Sequence, residues 1–217
     1  MRRILTFFVD SNVLIGYYFL CGDRWGIQAK KLIGKSGVKH SSTTVWHECF
    51  GEGSAGRCRT IFREIKSEFY SAISLLTKDQ FSPLDLYSLA TEEEWKSLEI
   101  IQELAARYEN DVKELVRKIR QAERKYEIDC EDRLTYLKKP AILVIHNRDI
   151  EYPATQRILD SVIDDPSDVT ILLDAHHIGF TIPELDFITG DHRHIVQQKK
   201  VIVANTNISN VTYLDSI

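Results

Sequence analysis

An almost uninterrupted apolar run near the amino terminus constrains the fold more than any other feature of the sequence. Residues Ile4 to Val9 read ILTFFV, and Asp10 follows immediately. A strand that is apolar at successive positions is buried on both faces, as the central strands of parallel sheets are. We therefore expect a parallel β-sheet flanked by helices, with Asp10 at the carboxyl end of its first strand.

Short apolar runs recur after residue 140 and alternate with segments of helical character. Strands that alternate with helices predict a parallel sheet with right-handed crossovers. The predicted helices are the segment that opens at Thr44, Pro153–Ile163 and Asp168–Gly179. The further predicted strands are Val38–Thr43, Ala141–His146, Phe187–Thr189, Val201–Val203 and Val211–Leu214.

The region from residue 60 to residue 139 has a different character. We predict that it is a helical insertion between two parts of one α/β domain, residues 1–59 and 140–217. A first helix is indicated by apolar residues at helical spacing: Ile61, Ile65, Phe69, Ile73 and Leu76. A second pattern repeats every seven residues, as in a coiled coil. It consists of Ile101, Ala105, Tyr108, Val112, Leu115, Ile119, Ala122 and Tyr126.

This seven-residue repeat predicts one long helix beginning at Thr91, where Thr91 and Glu94 form a capping box. Acidic residues crowd the start of this helix and basic residues its later part, in agreement with the helix dipole. The basic residues are Arg117, Lys118 and Arg120. We expect the helix to pack against the preceding one as a hairpin, or against a second copy of the chain in a homodimer.

Composition limits the class of protein. A chain of 217 residues with 43% apolar residues can bury a substantial core. It contains no apolar run of about 18 residues, so we expect no membrane-spanning helix. The amino terminus resembles a signal peptide, but Asp10 interrupts it and no cleavage site follows, so we predict a cytoplasmic protein. The net charge of −4 argues against non-specific binding of polyanions over the whole surface, but it is compatible with local basic patches that bind nucleic acid.

Four acidic residues stand where an α/β fold would bring them together. Asp10 and Asp191 follow predicted strands, Asp168 lies in the first turn of a helix, and Glu48 lies in a helix that follows a strand. Ligands of open parallel sheets bind beyond the carboxyl ends of the strands. Carboxylates gathered there would repel one another unless cations lie between them, and oxygen ligands favour Mg²⁺ or Mn²⁺.

Four segments resemble the motifs of the PIN-domain family. Val9-Asp10-Ser11-Asn12-Val13-Leu14 is similar to the opening motif, and Ser42-Thr43-Thr44-Val45-Trp46-His47-Glu48 to the segment with the second acid. Asp168-Val169-Thr170-Ile171-Leu172-Leu173-Asp174-Ala175, followed by Gly179, resembles the third motif. Phe187-Ile188-Thr189-Gly190-Asp191 resembles the fourth. The resemblance covers about residues 1–60 and 140–217 and leaves out the helical middle.

The resemblance implies a twisted parallel sheet and a Mg²⁺- or Mn²⁺-dependent nuclease that hydrolyses RNA, as an endonuclease. By position, it implies that Asp10, Glu48, Asp168 and Asp191 bind the metal directly or through water. It also implies that Thr189 and Asn12 hold these ligands or the attacking water. Asp174 is a rival to Asp168 as the third ligand. The two lie about 120° apart around a helix, so both can hardly point into one site equally.

Several other residues are candidates for substrate contacts. His192, Arg193 and His194 directly follow the last motif and are candidate substrate contacts. For the two histidines, a phosphate contact, a solvated position and a metal contact all stay open. Three basic runs could follow an RNA backbone or be ordinary solvated faces. They are Lys30, Lys31, Lys35 and Lys39; Arg57, Arg59 and Arg63; and Arg117 to Lys125.

Two alternatives to the nuclease remain open at the level of sequence. One is a non-catalytic RNA-binding or scaffold protein whose long helix recruits a partner. The other is a Mg²⁺-dependent phosphatase with an aspartyl nucleophile, although that chemistry normally has a second Asp where this chain has Asn12. A protein partner or inhibitor that restrains the activity is a further expectation.

Overall fold

Five parallel strands form one sheet, flanked by helices, in the computed structural model, which describes residues 6–20, 24–52, 56–78, 82–86 and 97–217. The strand order is β3-β2-β1-β4-β5. The strands are β1 (Thr6–Val9), β2 (Lys39–Ser42), β3 (Leu143–His146), β4 (Leu185–Thr189) and β5 (Asn210–Tyr213). The prediction of a parallel sheet flanked by helices is confirmed.

Helices connect the strands and cover the sheet. Before the second strand and directly after it lie α1 (Ser11–Phe19), α2 (Arg24–Gly34) and α3 (Thr43–Phe50). Between β3 and β4 lie α7 (Pro153–Asp160) and α8 (Pro166–Gly179), and α9 (Lys199–Asn205) precedes β5. Two short 3-10 helices complete this part: Val196–Gln198 and Leu214–Ser216. None of the helices in the described part of the chain is long and apolar enough to cross a membrane.

One predicted strand is wrong. Val201–Val203 lies within α9, where Ile202 is buried. A run of three apolar residues is too short for its periodicity to separate a strand from a helix. The place beside β4 is taken instead by β5, whose Asn210 and Tyr213 pair with Asp186 and Thr189.

Strand β1 lies at the centre of the sheet, between β2 and β4. Phe8 is fully buried and stacks on Phe187, its register partner in β4, with ring centroids 5.3 Å apart. Thr6–Val9 of the apolar run therefore forms a strand that is covered on both faces, as its composition requires. Ile4 and Leu5, the first two residues of the predicted strand, lie outside the described residues.

The order of connections places a crevice beside β1. The chain passes from β1 to β2 and then to β3, moving steadily toward one edge of the sheet. It then returns to the other side of β1 to form β4 and β5. The segments that follow β1 and β4 therefore leave in opposite directions, and the gap between them is where open α/β sheets bind ligands.

Lys39, which the sequence placed in a basic run, is buried at the start of β2 and is 1% exposed. Its Nζ donates to the carbonyl oxygens of Ile33 (3.0 Å), Gly37 (2.9 Å) and Lys35. The ammonium therefore satisfies carbonyls at the end of α2, where a positive charge is favourable. Lys39 is a structural residue and not part of a basic surface.

The chain divides into two compact units. One consists of Met1–Arg57 and Arg133–Ile217 and contains the sheet, and the other is Cys58–Asp132. The described residues of the second unit include α4 (Arg57–Leu76), α5 (Leu98–Arg107) and α6 (Val112–Leu137), of which α4 and α6 extend beyond the boundaries of the unit.

Helices α4 and α6 contact each other within the second unit. Lys66 on α4 forms ion pairs with Glu123 (3.3 Å) and Glu127 (3.2 Å), and Phe69 packs beside Tyr126. Several residues of the seven-residue repeat are buried within the single chain: Ile101, Ala105, Leu115, Ile119 and Tyr126. No second copy of the chain is therefore needed to cover them.

The expectation of one long helix through this repeat is wrong. Helix α5 ends at Arg107, and α6 begins at Val112. Asp111 caps the new helix, because its Oδ1 accepts a hydrogen bond from the backbone N–H of Glu114 (2.9 Å). Asp and Asn side chains compete with helical hydrogen bonds in this way and favour helix starts. The predicted start at Thr91, with its capping box, lies outside the described residues.

Candidate functional site

Asp10 lies at the carboxyl end of β1 and caps helix α1. Its Oδ1 accepts a hydrogen bond from the backbone N–H of Ser11 (2.6 Å). Its Oδ2 accepts hydrogen bonds from Asn12 Nδ2 (2.9 Å) and Thr189 Oγ1 (2.7 Å). Burial raises the pKa of Asp10 to about 6, although the hydrogen bonds from Thr189 and Ser11 oppose the rise. The negative charge of Glu48 raises this pKa further, so Asp10 already belongs to a group of interacting acids.

Asn12 and Thr189 join the segments that follow β1 and β4. Thr189 Oγ1 donates to Asp10 and accepts from the backbone N–H of Asp191 (2.9 Å) and from Asn12 Nδ2 (3.2 Å). Asn12 Oδ1 accepts from the backbone N–H of Gly190 (2.6 Å). The Thr189 hydroxyl, which is fully buried, thus uses its donor and both of its acceptor sites. These two side chains fix the positions of Asp10 and Asp191.

Glu48 reaches the same region from helix α3. Ser42, the last residue of β2, caps this helix by accepting a hydrogen bond from the backbone N–H of Val45 (3.2 Å). Glu48 therefore lies in the second turn of a helix that starts at the carboxyl edge of the sheet. Its Oε1 accepts a hydrogen bond from Arg57 Nη1 at 2.9 Å. This ion pair brings a positive charge into an otherwise acidic neighbourhood.

Asp168 lies in the first turn of α8, and a fifth acid, Asp165, caps that helix through the backbone N–H of Ser167 (2.8 Å). Burial raises the pKa of Asp168 to about 7. The negative charges of other acids add to this rise, in decreasing order those of Asp10, Asp165, Asp191 and Glu48. The four acids singled out in the sequence are therefore close enough to influence one another electrostatically.

These residues surround an open cleft of about 470 Å³, which we call the carboxylate cleft. It is lined by Ser11, Asn12, Trp25, Glu48, Arg57, Asp165, Ser167, Asp168, Gly190, Asp191, His192, Arg193 and Tyr213. Asp10 does not line the cleft itself; it is only 1% exposed and is hydrogen-bonded to Ser11 and Asn12, which do. The cleft coincides with the crevice between the segments that follow β1 and β4.

The ring of Trp25 forms part of the cleft wall and rests on Gly190. A Cβ atom at position 190 would overlap this ring, so glycine is required for the close approach. Tyr213, at the end of β5, contacts the ring of His192 edge to face, with centroids 5.1 Å apart. Aromatic surfaces therefore lie beside the carboxylates.

Asp174, the rival to Asp168, does not line the carboxylate cleft. It is 3% exposed, and its Oδ1 accepts a hydrogen bond from Arg148 Nε at 2.7 Å. Its other oxygen is buried and has no hydrogen-bond partner among the described residues. Because Asp168 lines the carboxylate cleft and Asp174 does not, the geometry favours Asp168 as the third acid of the group.

Of the three residues after Asp191, two line the cleft and the third does not. His192 and Arg193 line the cleft and are exposed. The backbone N–H of His194 donates to Asp191 Oδ1 (2.8 Å), while its side chain is not among the described residues that line the cleft. His194 therefore contributes to the position of Asp191 through its main chain.

The chemistry of the donor groups suits a hard divalent cation. Carboxylate oxygens are the ligands that Mg²⁺ and Mn²⁺ prefer, and a cation would relieve the mutual repulsion that raises the pKa of Asp168. As the side chains stand, no three His, Cys, Asp or Glu groups in the described part of the chain are close enough to hold one ion. The residues fit such an ion in chemical type and in charge, while binding would require their side chains to move closer together.

Sequence reasoning missed several residues of the cleft. Asp165 precedes the predicted helix Asp168–Gly179 and was not among the candidate residues, although Pro166 after it is a common first residue of a helix. Tyr213 could have been found by the rule that pointed to Asp191, since it also ends a strand of the sheet. Trp25 carries no sequence signal that would place it beside Gly190.

Comparisons with known proteins add no relative: no protein-family model, no curated protein and no solved structure matches the chain. The interpretation of the cleft therefore depends on its residues and their contacts.

The raised pKa of Asp168 predicts how the stability of the metal-free protein changes with pH. The pKa of Asp168 is about 7 in the folded state and 3.8 ordinarily, so between these pH values the unfolded chain ionises while the folded protein keeps the proton. The stability that protonated Asp168 gives is therefore complete below about pH 4 and is lost as pH rises through about 7. We expect Asp168→Asn to stabilise the protein at pH 8 and to have little effect at pH 4. Because solvent screens the charge of this half-buried carboxyl, the gain at pH 8 should be about 1–2 kcal/mol.

Urea unfolding in EDTA at both pH values measures this difference. Asp160→Asn, which removes an exposed carboxyl outside the cleft, is the matched control and should show no such dependence on pH. An equal effect of Asp168→Asn at pH 4 and pH 8 would contradict the electrostatic interpretation.

The hydroxyl of Thr189 should be required for stability. Thr189→Val keeps the side-chain volume but removes one donor and two acceptor contacts, so we expect a loss of about 1–3 kcal/mol in the free energy of unfolding. Thr189→Ser retains the hydroxyl and should lose less. Urea denaturation at pH 7 compares the two variants, and equal losses would show that the hydrogen bonds are unimportant.

Proposed function

We propose that the chain is a Mg²⁺- or Mn²⁺-dependent ribonuclease with a PIN-like fold, into which residues 58–132 are inserted as a helical unit. The observation that supports it best is the electrostatic interaction of Asp168 with Asp10, Asp191 and Glu48. These acids come from four distant parts of the chain and meet at the crevice of a parallel sheet. Such a group of carboxylates destabilises the protein unless a cation is bound, which favours a binding role over a structural one.

In this proposal Asp10, Glu48, Asp168 and Asp191 hold the cation directly or through water. A bound Mg²⁺ or Mn²⁺ would supply Lewis acidity toward a phosphodiester and lower the pKa of the attacking water. Thr189 and Asn12 hold the acids in place, because their hydrogen bonds occupy both segments that carry Asp10 and Asp191.

The other side chains of the carboxylate cleft suit an RNA strand. Arg57 and Arg193 offer positive charge for phosphate oxygens next to the acids. Trp25, Tyr213 and His192 offer aromatic faces and edges, on which bases of a single strand can stack. The substrate proposed is therefore single-stranded or looped RNA, cut internally.

The cellular setting is part of the same proposal. Cys49, Cys58 and Cys130 are buried thiols, as expected for a reducing compartment. We propose a cytoplasmic protein that acts on RNA there, and a protein partner that restrains the activity is compatible with an open cleft.

Cleavage of labelled RNA tests the proposal. The full chain is incubated with linear, hairpin and circular RNAs, with Mn²⁺ or with EDTA. We expect cutting with Mn²⁺ only, including of the circular RNA, and a loss of about 100-fold or more in Asp10→Asn.

Asp160→Asn serves as the control variant and should retain full activity, since it removes a carboxyl outside the cleft. Cutting that persists in EDTA or in folded Asp10→Asn would refute the carboxylate–metal mechanism. Cutting of linear RNA but not of circular RNA would limit the proposal to exonucleolytic action.

A further inference from the structure

Helix α6 carries a line of cations along one face. Lys113, Arg117, Arg120 and Arg124 follow one another at intervals of four, three and four residues, so their side chains share one face of the helix. All four are exposed, and we call them the cationic stripe. The residues that α6 buries lie roughly on the opposite face: Leu115, Ile119, Tyr126, Cys130 and Leu137.

The cationic stripe lines a shallow groove of about 290 Å³, together with Val116 and Gln121. Arg117 is bound by Glu114, with 2.6 Å between Arg117 Nε and Glu114 Oε2. No ion pair within the described part of the chain involves Lys113, Arg120 or Arg124. As far as the described residues go, these three cations have no acidic partner, so their charge can pair with an external anion.

The cationic stripe does not stabilise the helix that carries it. Like charges three or four residues apart destabilise a helix. The agreement with the helix dipole expected from the sequence also disappears, because α6 begins at Val112. Lys113 lies in the first turn, where a positive charge is unfavourable, and the later cations lie beyond the reach of the dipole. An anion that binds the stripe would offset these unfavourable interactions.

We propose that the cationic stripe binds the phosphate backbone of RNA. From Lys113 to Arg124 it extends about 16 Å along the helix, which is long enough to face several consecutive phosphates. Three of its four members are arginines, whose planar guanidinium groups match phosphate oxygens in pairs. The helical unit thereby contributes a second RNA contact, separate from the carboxylate cleft.

The composition of the groove favours RNA over a protein or a membrane surface. Protein interfaces have an apolar or aromatic centre, and helices that lie on membranes carry large apolar residues beside their cations. Val116 is the one apolar residue that lines this groove. A polyanion that is recognised by charge alone fits such a surface best.

Binding of a polyanion follows from the stripe itself, and only the choice of RNA as that polyanion rests on the proposed function. RNA binding is tested by fluorescence anisotropy, with a labelled single-stranded RNA and the full chain in EDTA, over a series of salt concentrations. The double variant Arg120→Gln and Arg124→Gln should weaken binding about tenfold and reduce the slope of log Kd against log salt by about 1.4.

The matched control is the double variant Lys118→Gln and Lys125→Gln. It removes the same charge from the same helix, on a face about 120° from the stripe. We expect this control to change Kd by less than about threefold. Equal effects of the two double variants, or no salt-dependent RNA binding by the wild type, would overturn the inference.

Two further outcomes separate this inference from the proposed function. Stripe-dependent binding without any cleavage would support the stripe and leave the nuclease proposal refuted. Loss of binding to phosphatidylserine vesicles or to an acidic peptide, with RNA binding unchanged, would overturn the choice of RNA.

Discussion

The hydrogen bond from Thr189 to Asp10, 2.7 Å long, links the carboxyl ends of the two central strands β1 and β4. It lies where the direction of winding of the sheet reverses, so it joins segments that otherwise leave in opposite directions. Because Asn12 and the backbone N–H of Asp191 complete the same network, the positions of two acids depend on one buried hydroxyl. The rest of the carboxylate cleft is built around this pair.

The electrostatics of the cleft follow from this arrangement. A buried Asp10 next to Asp168 and Glu48 leaves the metal-free protein with unfavourable charge, which the raised pKa values of Asp10 and Asp168 express. The ion pair of Glu48 with Arg57 relieves part of it. Sites that keep such charge are more often functional than structural, because a purely structural site would lose stability without any compensation.

Much of the sheet could be predicted from the sequence, and the reason is physical. The run before Asp10 is apolar at every position except Thr6, which favours a strand covered on both faces, and the described part of this strand lies at the centre of the sheet. The acids at the strand ends followed from the geometry of parallel sheets. The prediction of a strand at Val201–Val203 was wrong, because three residues are too few to show whether apolar positions repeat as in a strand or as in a helix. The break at Asp111 was missed because the seven-residue repeat of apolar residues continues through it, and a cap depends on one side-chain hydrogen bond.

The site could be predicted less completely than the sheet. Motif spacing favoured Asp168 but left Asp174 as a rival, and tertiary structure separates the two: Asp168 lines the cleft, whereas Asp174 contacts Arg148. Trp25 reaches the cleft through tertiary packing, which no local pattern encodes, whereas Tyr213 ends a strand of the sheet and could have been found by the strand-end rule. The sequence indicated that the cations now found on α6 agree with the dipole of one long helix. Because α6 begins at Val112, Lys113 lies in its first turn and this agreement is lost.

Titration of the full chain with Mn²⁺ by isothermal calorimetry at pH 7.5 shows whether the cleft acids form a cation site. If they do, the wild type binds Mn²⁺ saturably, Asp168→Asn loses this binding, and Asp174→Asn retains it. No binding to the folded wild type, or binding that Asp168→Asn leaves unchanged, would contradict a cation site in the cleft.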